Sequence, residues 1–144
     1  MDYHGLGYRI LMRYRLLAAA AERWPVRRTV ATSSFWKVWL DCEKEANAQR
    51  VVQRVLDLAF SPEPEVGIEP YPKGGFVAQW TFDLKPTWSD AVVEAISLAQ
   101  RLGTGWTLYG DVMVDPEGLL TPREGHRVTV PGVTMMSWTI TRGG

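Results

Sequence analysis

A chain of 144 residues, 46% hydrophobic and 22% charged, is the size of one ordinary domain with a core of its own. Its 16 basic and 16 acidic residues cancel, which argues against general nucleic-acid affinity, because cationic neutralisation of phosphate supplies most such binding. No apolar run approaches the ~18 residues of a membrane span, and one cysteine, Cys42, excludes an internal disulfide framework, so a reducing, cytoplasmic compartment is expected.

The charge is unevenly spread. Residues 1–34 hold Arg9, Arg13, Arg15, Arg23, Arg27 and Arg28 against Asp2 and Glu22, and the remainder is mildly acidic. Within "GYRILMRYRLLAAAAERWPVRR" the spacing of Ile10, Leu11, Tyr14, Leu17 and Ala21 predicts a helix that Pro25 ends. An arginine-rich amphipathic helix is the pattern of a transit peptide or a membrane-surface anchor, but Glu22 and the short apolar stripe weaken it. The expectation is a basic helical segment over 1–32, either appended or the product of an upstream start, outside the core of a single α+β domain over 33–142.

From Phe35 the pattern sharpens. "FWKVWL" (35–40) is β-branched and aromatic and too short for a lone helix, which predicts a strand, with Asp41 as the N-cap of the helix after it. Ala48, Val51, Val52, Val55, Leu56 and Ala59 recur at steps of three and four, the core stripe of a helix over 43–60. The prolines of "SPEPEVGIEPYPKGG" restrict any strand near Val66 to Ile68 to a short edge position. In "GFVAQWTFDLK", Phe76, Ala78, Trp80, Phe82 and Leu84 alternate with Val77, Gln79, Thr81 and Asp83, the period of a strand buried on one face. Pro86 stops it, Thr87 and Asp90 make an acidic variant of a capping box, and Trp88, Val92, Ala95, Ile96, Ala99 and Leu102 form a second helical stripe over 88–102.

The stretch "RLGTGWTLYGDVMVDPEG" carries four glycines and invites comparison with a phosphate-cradling loop. A dinucleotide fingerprint comes after a strand and opens a helix, whereas Gly103 comes after the last apolar residue of a helix and Gly105 leads into the strand "WTLYGDVMV" (106–114). No Gly-Lys-Ser or Gly-Lys-Thr triplet occurs. Gly103 therefore reads as a left-handed C-cap and Gly110 as a bulge or close backbone approach. "RVTVPG" and "VTMMSWTIT" read as two further short strands.

The order β-α-β-β-α-β over about 35–114 resembles the ferredoxin-like split βαβ arrangement: an antiparallel sheet with two helices on one face, here with extra C-terminal strands and the appended N-terminal helix. Its usual order, 4-1-3-2, implies that the helices cover Trp36, Val38, Leu40, Trp80, Phe82, Trp106, Leu108 and Val112. The opposite face then carries Lys37, Trp39, Gln79, Thr81, Asp83, Thr107, Tyr109 and Asp111. Lys37, Trp39, Thr81, Asp83, Tyr109 and Asp111 are the candidate binding residues, unless the C-terminal strands or the N-terminal helix bury them.

Aromatic residues on the open face of RNA-recognition modules stack on bases, but Asp83 and Asp111 oppose that chemistry here and the RNP pattern is missing. Aromatic anchors in a polar surround suit a protein partner, one with a basic surface, or a second copy of the chain. No catalytic residue, metal ligand set or cofactor is expected. His4 and His126 are distant from each other, the acidic pairs Glu43/Glu45 and Glu63/Glu65 read as solvated surface, and Cys42 is either a small filler or a thiol near a helix N-terminus. In style, small, acidic in its body and rich in tryptophan, the chain resembles bacterial immunity proteins and phage-encoded inhibitors. The expected function is a small non-catalytic binding protein that masks or inhibits a partner; the alternative is a ferredoxin-like small-molecule-binding domain or enzyme using the same face.

Overall fold

A computed structural model describes residues 32–142. The basic helix read in the N-terminal segment therefore lies outside the described residues.

Period-two burial along one central strand organises the rest. In β1 (Thr32–Leu40) each even-numbered residue is buried and each odd-numbered one only half-buried. The strand starts three residues before Phe35 because its first hydroxyls are satisfied inside the protein. Ser34 Oγ donates to the Phe82 carbonyl at 2.8 Å, and Thr32 Oγ1 donates to the Pro86 carbonyl at 3.2 Å. Polar residues so paired can be buried without a net penalty.

The helix α1 (Glu45–Ala59) buries the six residues of the expected stripe. Asp41 does not cap it: the N-cap is Lys44, and the Asp41 backbone N–H donates instead to Gly132 O at 2.8 Å. The short edge strand β2 (Gly67–Pro70) and β3 (Phe76–Asp83) come next, then α2 (Trp88–Leu102). Thr87 occupies the N-cap position of α2, but its side chain makes no capping bond. At the other end Gly103 has φ 172, extended rather than left-handed, so α2 runs directly into β4 (Gly103–Thr104). The remaining strands are β5 (Thr107–Tyr109), β6 (Glu117–Leu120), β7 (Arg127–Val128) and β8 (Val133–Arg142).

Six strands form one sheet in the order β2-β3-β1-β8-β6-β5, each neighbouring pair antiparallel, while β4 and β7 make a separate two-stranded ribbon. The fold is α+β with two helices among the described residues, but the sheet has more strands than the sequence pattern predicts. The stretch 106–114 does not lie beside β1. Only Thr107–Tyr109 is a strand, at the far edge, and the place beside β1 belongs to β8.

Burial explains the exchange. The strand β8 offers Val133, Met136, Trp138 and Ile140 to the core, all at most 7% exposed. The 106–114 stretch breaks at Gly110, which sits at φ +79 in a turn rather than in a strand bulge, and Leu108, Val112, Met113 and Val114 are each at least half exposed. Leu108 and Val112 are accordingly not covered by the helices. Of the C-terminal "RVTVPG", only two residues are strand, and they pair with β4 rather than extending the main sheet.

The register aligns Trp80 of β3, Trp36 of β1 and Trp138 of β8 on one line across the sheet. All three are at most 1% exposed. Phe60, at the C-terminal end of α1, meets this line edge-on, with centroid distances of 5.0 Å to Trp36 and 5.2 Å to Trp80, and it also meets Phe82 at 5.1 Å. Edge-to-face contacts at this range are the favoured aromatic geometry. Trp36 Nε1 donates to Ser34 Oγ at 2.8 Å, which makes Ser34 a relay from the indole to the Phe82 carbonyl.

Replacing Trp36 by Ala should cost about 3–5 kcal/mol through cavity formation. Ser34→Ala, which leaves a buried indole N–H and a carbonyl short of a partner, should cost about 1–3 kcal/mol. Urea melts check both; a near-neutral Trp36→Ala would contradict its place on the central line.

Candidate functional site

The odd-numbered residues of β1 point away from the helices. Phe35, Lys37 and Trp39 therefore form the centre of the second sheet face, and the register extends it in rows. One row runs Thr81–Phe35–Thr139–Glu117–Tyr109, the next Gln79–Lys37–Ser137–Leu119–Thr107, and a third joins Glu69, Val77, Trp39 and Met135. The half-buried Phe35, Trp39, Met135 and Leu119 give this face an apolar middle in a threonine-rich and acidic surround.

Of the six residues singled out in the sequence, four share this face on two adjacent strands. Thr81 lies opposite Phe35, diagonal to Lys37, and Asp83 lies opposite Ser33, two rows from Lys37 and three from Trp39, while Lys37 Nζ stands 5.1 Å from the Trp39 ring centroid, a cation–π distance. Tyr109 shares the face but sits on β5, three strands from β1, roughly 14 Å away at the usual interstrand spacing. Asp111 lies beyond the strand, in the turn that returns to β6, where its Oδ1 accepts from the Met113 N–H at 2.8 Å. Its carboxylate is thus engaged in shaping that turn. Asp83 and Asp111 are not neighbours, and no carboxylate pair forms between them.

The sequence pattern does not single out Phe35, Met135 or Leu119, although the Phe35-Lys37-Trp39 alternation already places Phe35 on the same face as Trp39. Met135 and Leu119 carry no such signal, because their position depends on β8 and β6 entering the sheet next to β1.

Among the described residues no group of three or more His, Cys, Asp or Glu side chains gathers as a metal site. His126 has a structural post: its Nδ1 is 2.7 Å from the Thr121 carbonyl, its Nε2 accepts from Arg123 Nε at 2.8 Å, and its ring lies against Gly105. Gly105 adopts φ +88, so this contact needs both the conformation and the absent side chain of glycine. Cys42 precedes α1 by three residues, and its thiol pKa is raised by burial and, secondarily, by the charge of Asp41. It is not the activated thiol that a helix N-terminus would produce.

Comparison with protein-family models, curated proteins and solved structures returns no match. The functional reading therefore rests on the face itself.

Since only the thiolate reacts, Cys42 should alkylate more slowly than an unburied cysteine at neutral pH and accelerate as pH rises past the ordinary thiol range. Asp41→Asn should bring a smaller increase than unfolding does. Iodoacetamide labelling followed by mass spectrometry reads both rates; a rate at neutral pH equal to that of free cysteine would contradict the buried setting.

Proposed function

We propose that this protein is a small non-catalytic binding module whose working surface is the second sheet face, centred on Trp39 and Phe35. The observation that carries the reading is the division of the sheet: both helices pack against the Trp80–Trp36–Trp138 side, and the other side presents half-buried aromatic and aliphatic side chains with no helix over them among the described residues. Aromatic anchors within a polar rim are what protein interfaces use.

Charge selects the partner. On the strands, Glu69 and Glu117 project from this face against Lys37, so a basic protein surface complements it and nucleic acid does not. Trp39 has a further feature of an anchor, an indole nitrogen that is buried yet makes no hydrogen bond. A partner carbonyl that reorders the side chain to reach it would gain a bond the free protein lacks.

The style of action is masking or inhibition, as an immunity protein acts, in a reducing compartment that suits the unpaired Cys42. We read the four strands β2-β3-β1-β8 with α1 and α2 as a split βαβ core of ferredoxin-like kind, whose fourth strand is β8 and whose residues 103–132 are an insertion before it.

Partner capture from source-cell lysate by the parent chain, followed by binding measurements with the captured protein, tests the reading. Trp39→Ala should raise the dissociation rate by an amount worth about 2 kcal/mol or more, and Glu117→Lys should mainly slow association, with circular dichroism unchanged in both. If both variants stay folded and bind like the parent, the second sheet face is not the working surface.

A further inference from the structure

The second sheet face has an apolar middle and an acidic rim, and no helix among the described residues lies over it. Phe35, Trp39, Met135 and Leu119 are half-buried there, and Val77, opposite Trp39, is only 4% exposed although it is not part of the helix-side core. Glu69, in the Trp39 row on β2, and Glu117, in the Phe35 row on β6, are exposed on either side of β1. The cation of the middle, Lys37, stands over the Trp39 ring.

The start of the chain carries the complement. Residues 1–31 hold six arginines against Asp2 and Glu22, which leaves four positive charges. Their apolar spacing predicts a helix over about 9–24. Wound so, Ile10, Tyr14, Leu17 and Ala21 make one stripe, with Arg9 and Arg13 on one flank and Arg15 and Glu22 on the other. Such a helix is about 24 Å long, against about 30 Å for the nine residues of β1. A helix of this length draws most of its stability from packing its stripe against something apolar.

The point of attachment decides which surface is within reach. The segment enters at Thr32, the first residue of β1, whose odd-numbered side chains form the centre of the face. Residues 26–31 span at most about 20 Å, more than the roughly 10 Å between packed layers. A helix that turns back after Pro25 therefore lies antiparallel over β1. The other side of the sheet is already filled by α1 and α2. A tether this short holds the stripe at the face at an effective concentration on the order of millimolar, which favours it over a second copy of the chain.

We propose that residues 9–24 of the chain's own N-terminal segment dock as an amphipathic helix on the second sheet face, laying Ile10, Tyr14 and Leu17 on Phe35, Trp39 and Met135 with the arginines toward Glu69 and Glu117. The inference rests on the reading of this face as a docking surface and adds its regulation: a protein partner gains the face only by displacing the segment.

The test uses the free full-length chain, labelled with ¹³C and ¹⁵N, with no partner present. Nuclear Overhauser contacts should join the Ile10 and Leu17 methyl groups to the Phe35 and Trp39 rings. They should stay within one chain when labelled and unlabelled protein are mixed in equal amounts. Ile10→Asp with Leu17→Asp should remove these contacts and shift the Phe35 and Trp39 ring resonances, while those of Trp36, Trp80 and Trp138 hold their positions. Should that variant not fold, the contacts in the parent chain decide alone. Absent contacts, contacts only between chains, a segment that gives contacts with phosphatidylserine vesicles in place of the face, or unmoved Phe35 and Trp39 resonances in the folded variant would overturn the proposal. Partner capture is read separately: a chain that lacks the contacts yet binds its partner through Trp39 keeps the proposed function and loses only the regulation.

Discussion

Three indoles lie side by side on one line across the middle of the sheet, and a phenylalanine from the first helix stands edge-on against two of them. The line dictates much of what surrounds it. Tryptophans of this size fill much of the space between sheet and helices. The helices bury small residues beside larger ones, Ala48 and Ala59 with Val51, Val52, Val55 and Leu56 on α1, and Ala91, Ala95 and Ala99 with Val92, Leu98 and Leu102 on α2. Interiors are packed to crystal-like density, and large residues facing small ones are how two layers reach it. Where the line runs on into β6, the next residue is Gly118, because the Trp138 ring already occupies the space a side chain would need.

The same line sets the two faces of the sheet apart. With a side-chain period of two, fixing Trp36 inward places Phe35, Lys37 and Trp39 outward, and the register carries that choice to Thr81, Met135, Ser137 and Leu119. A one-residue slip of β1 would turn the indole into solvent and Lys37 into the core, so the second face and the core are specified together. Ser34 reinforces the setting, since its hydroxyl takes the Trp36 N–H and passes a bond to β3.

Much of this was legible in the sequence where a pattern was local. Both helical stripes, the alternation of β3 and the short proline-limited β2 arise from periodicities within one segment, and the structure has them at those places. What was not legible is what depends on distant partners. Residues 106–114 look like a strand because Trp106, Leu108, Val112 and Val114 are apolar, but the place beside β1 goes to whichever segment buries more over greater length, and β8 supplies ten residues against three. Chain order gave no warning that residues 103–132 would be passed over. The candidate face shared this fate: Lys37, Trp39, Thr81 and Asp83 could be grouped from two adjacent strands, whereas Tyr109 and Asp111 were joined to them only by assuming that their segment lay next to β1. The capping residues failed for a different reason, since a sequence shows that Asp41 or Thr87 can cap but not where the helix will begin or which way the side chain will turn.

The central claim is that β1 is flanked by β3 and β8, with Trp36 opposite Trp80 on one side and Trp138 on the other. Cross-strand nuclear Overhauser contacts in the full-length protein test it most directly. The account expects backbone contacts of residues 32–40 with 76–83 and with 133–142, in the register that pairs Phe35 with Thr81 and with Thr139. Contacts joining 32–40 to 106–114 in place of 133–142 would contradict it, and with it the composition of the open face.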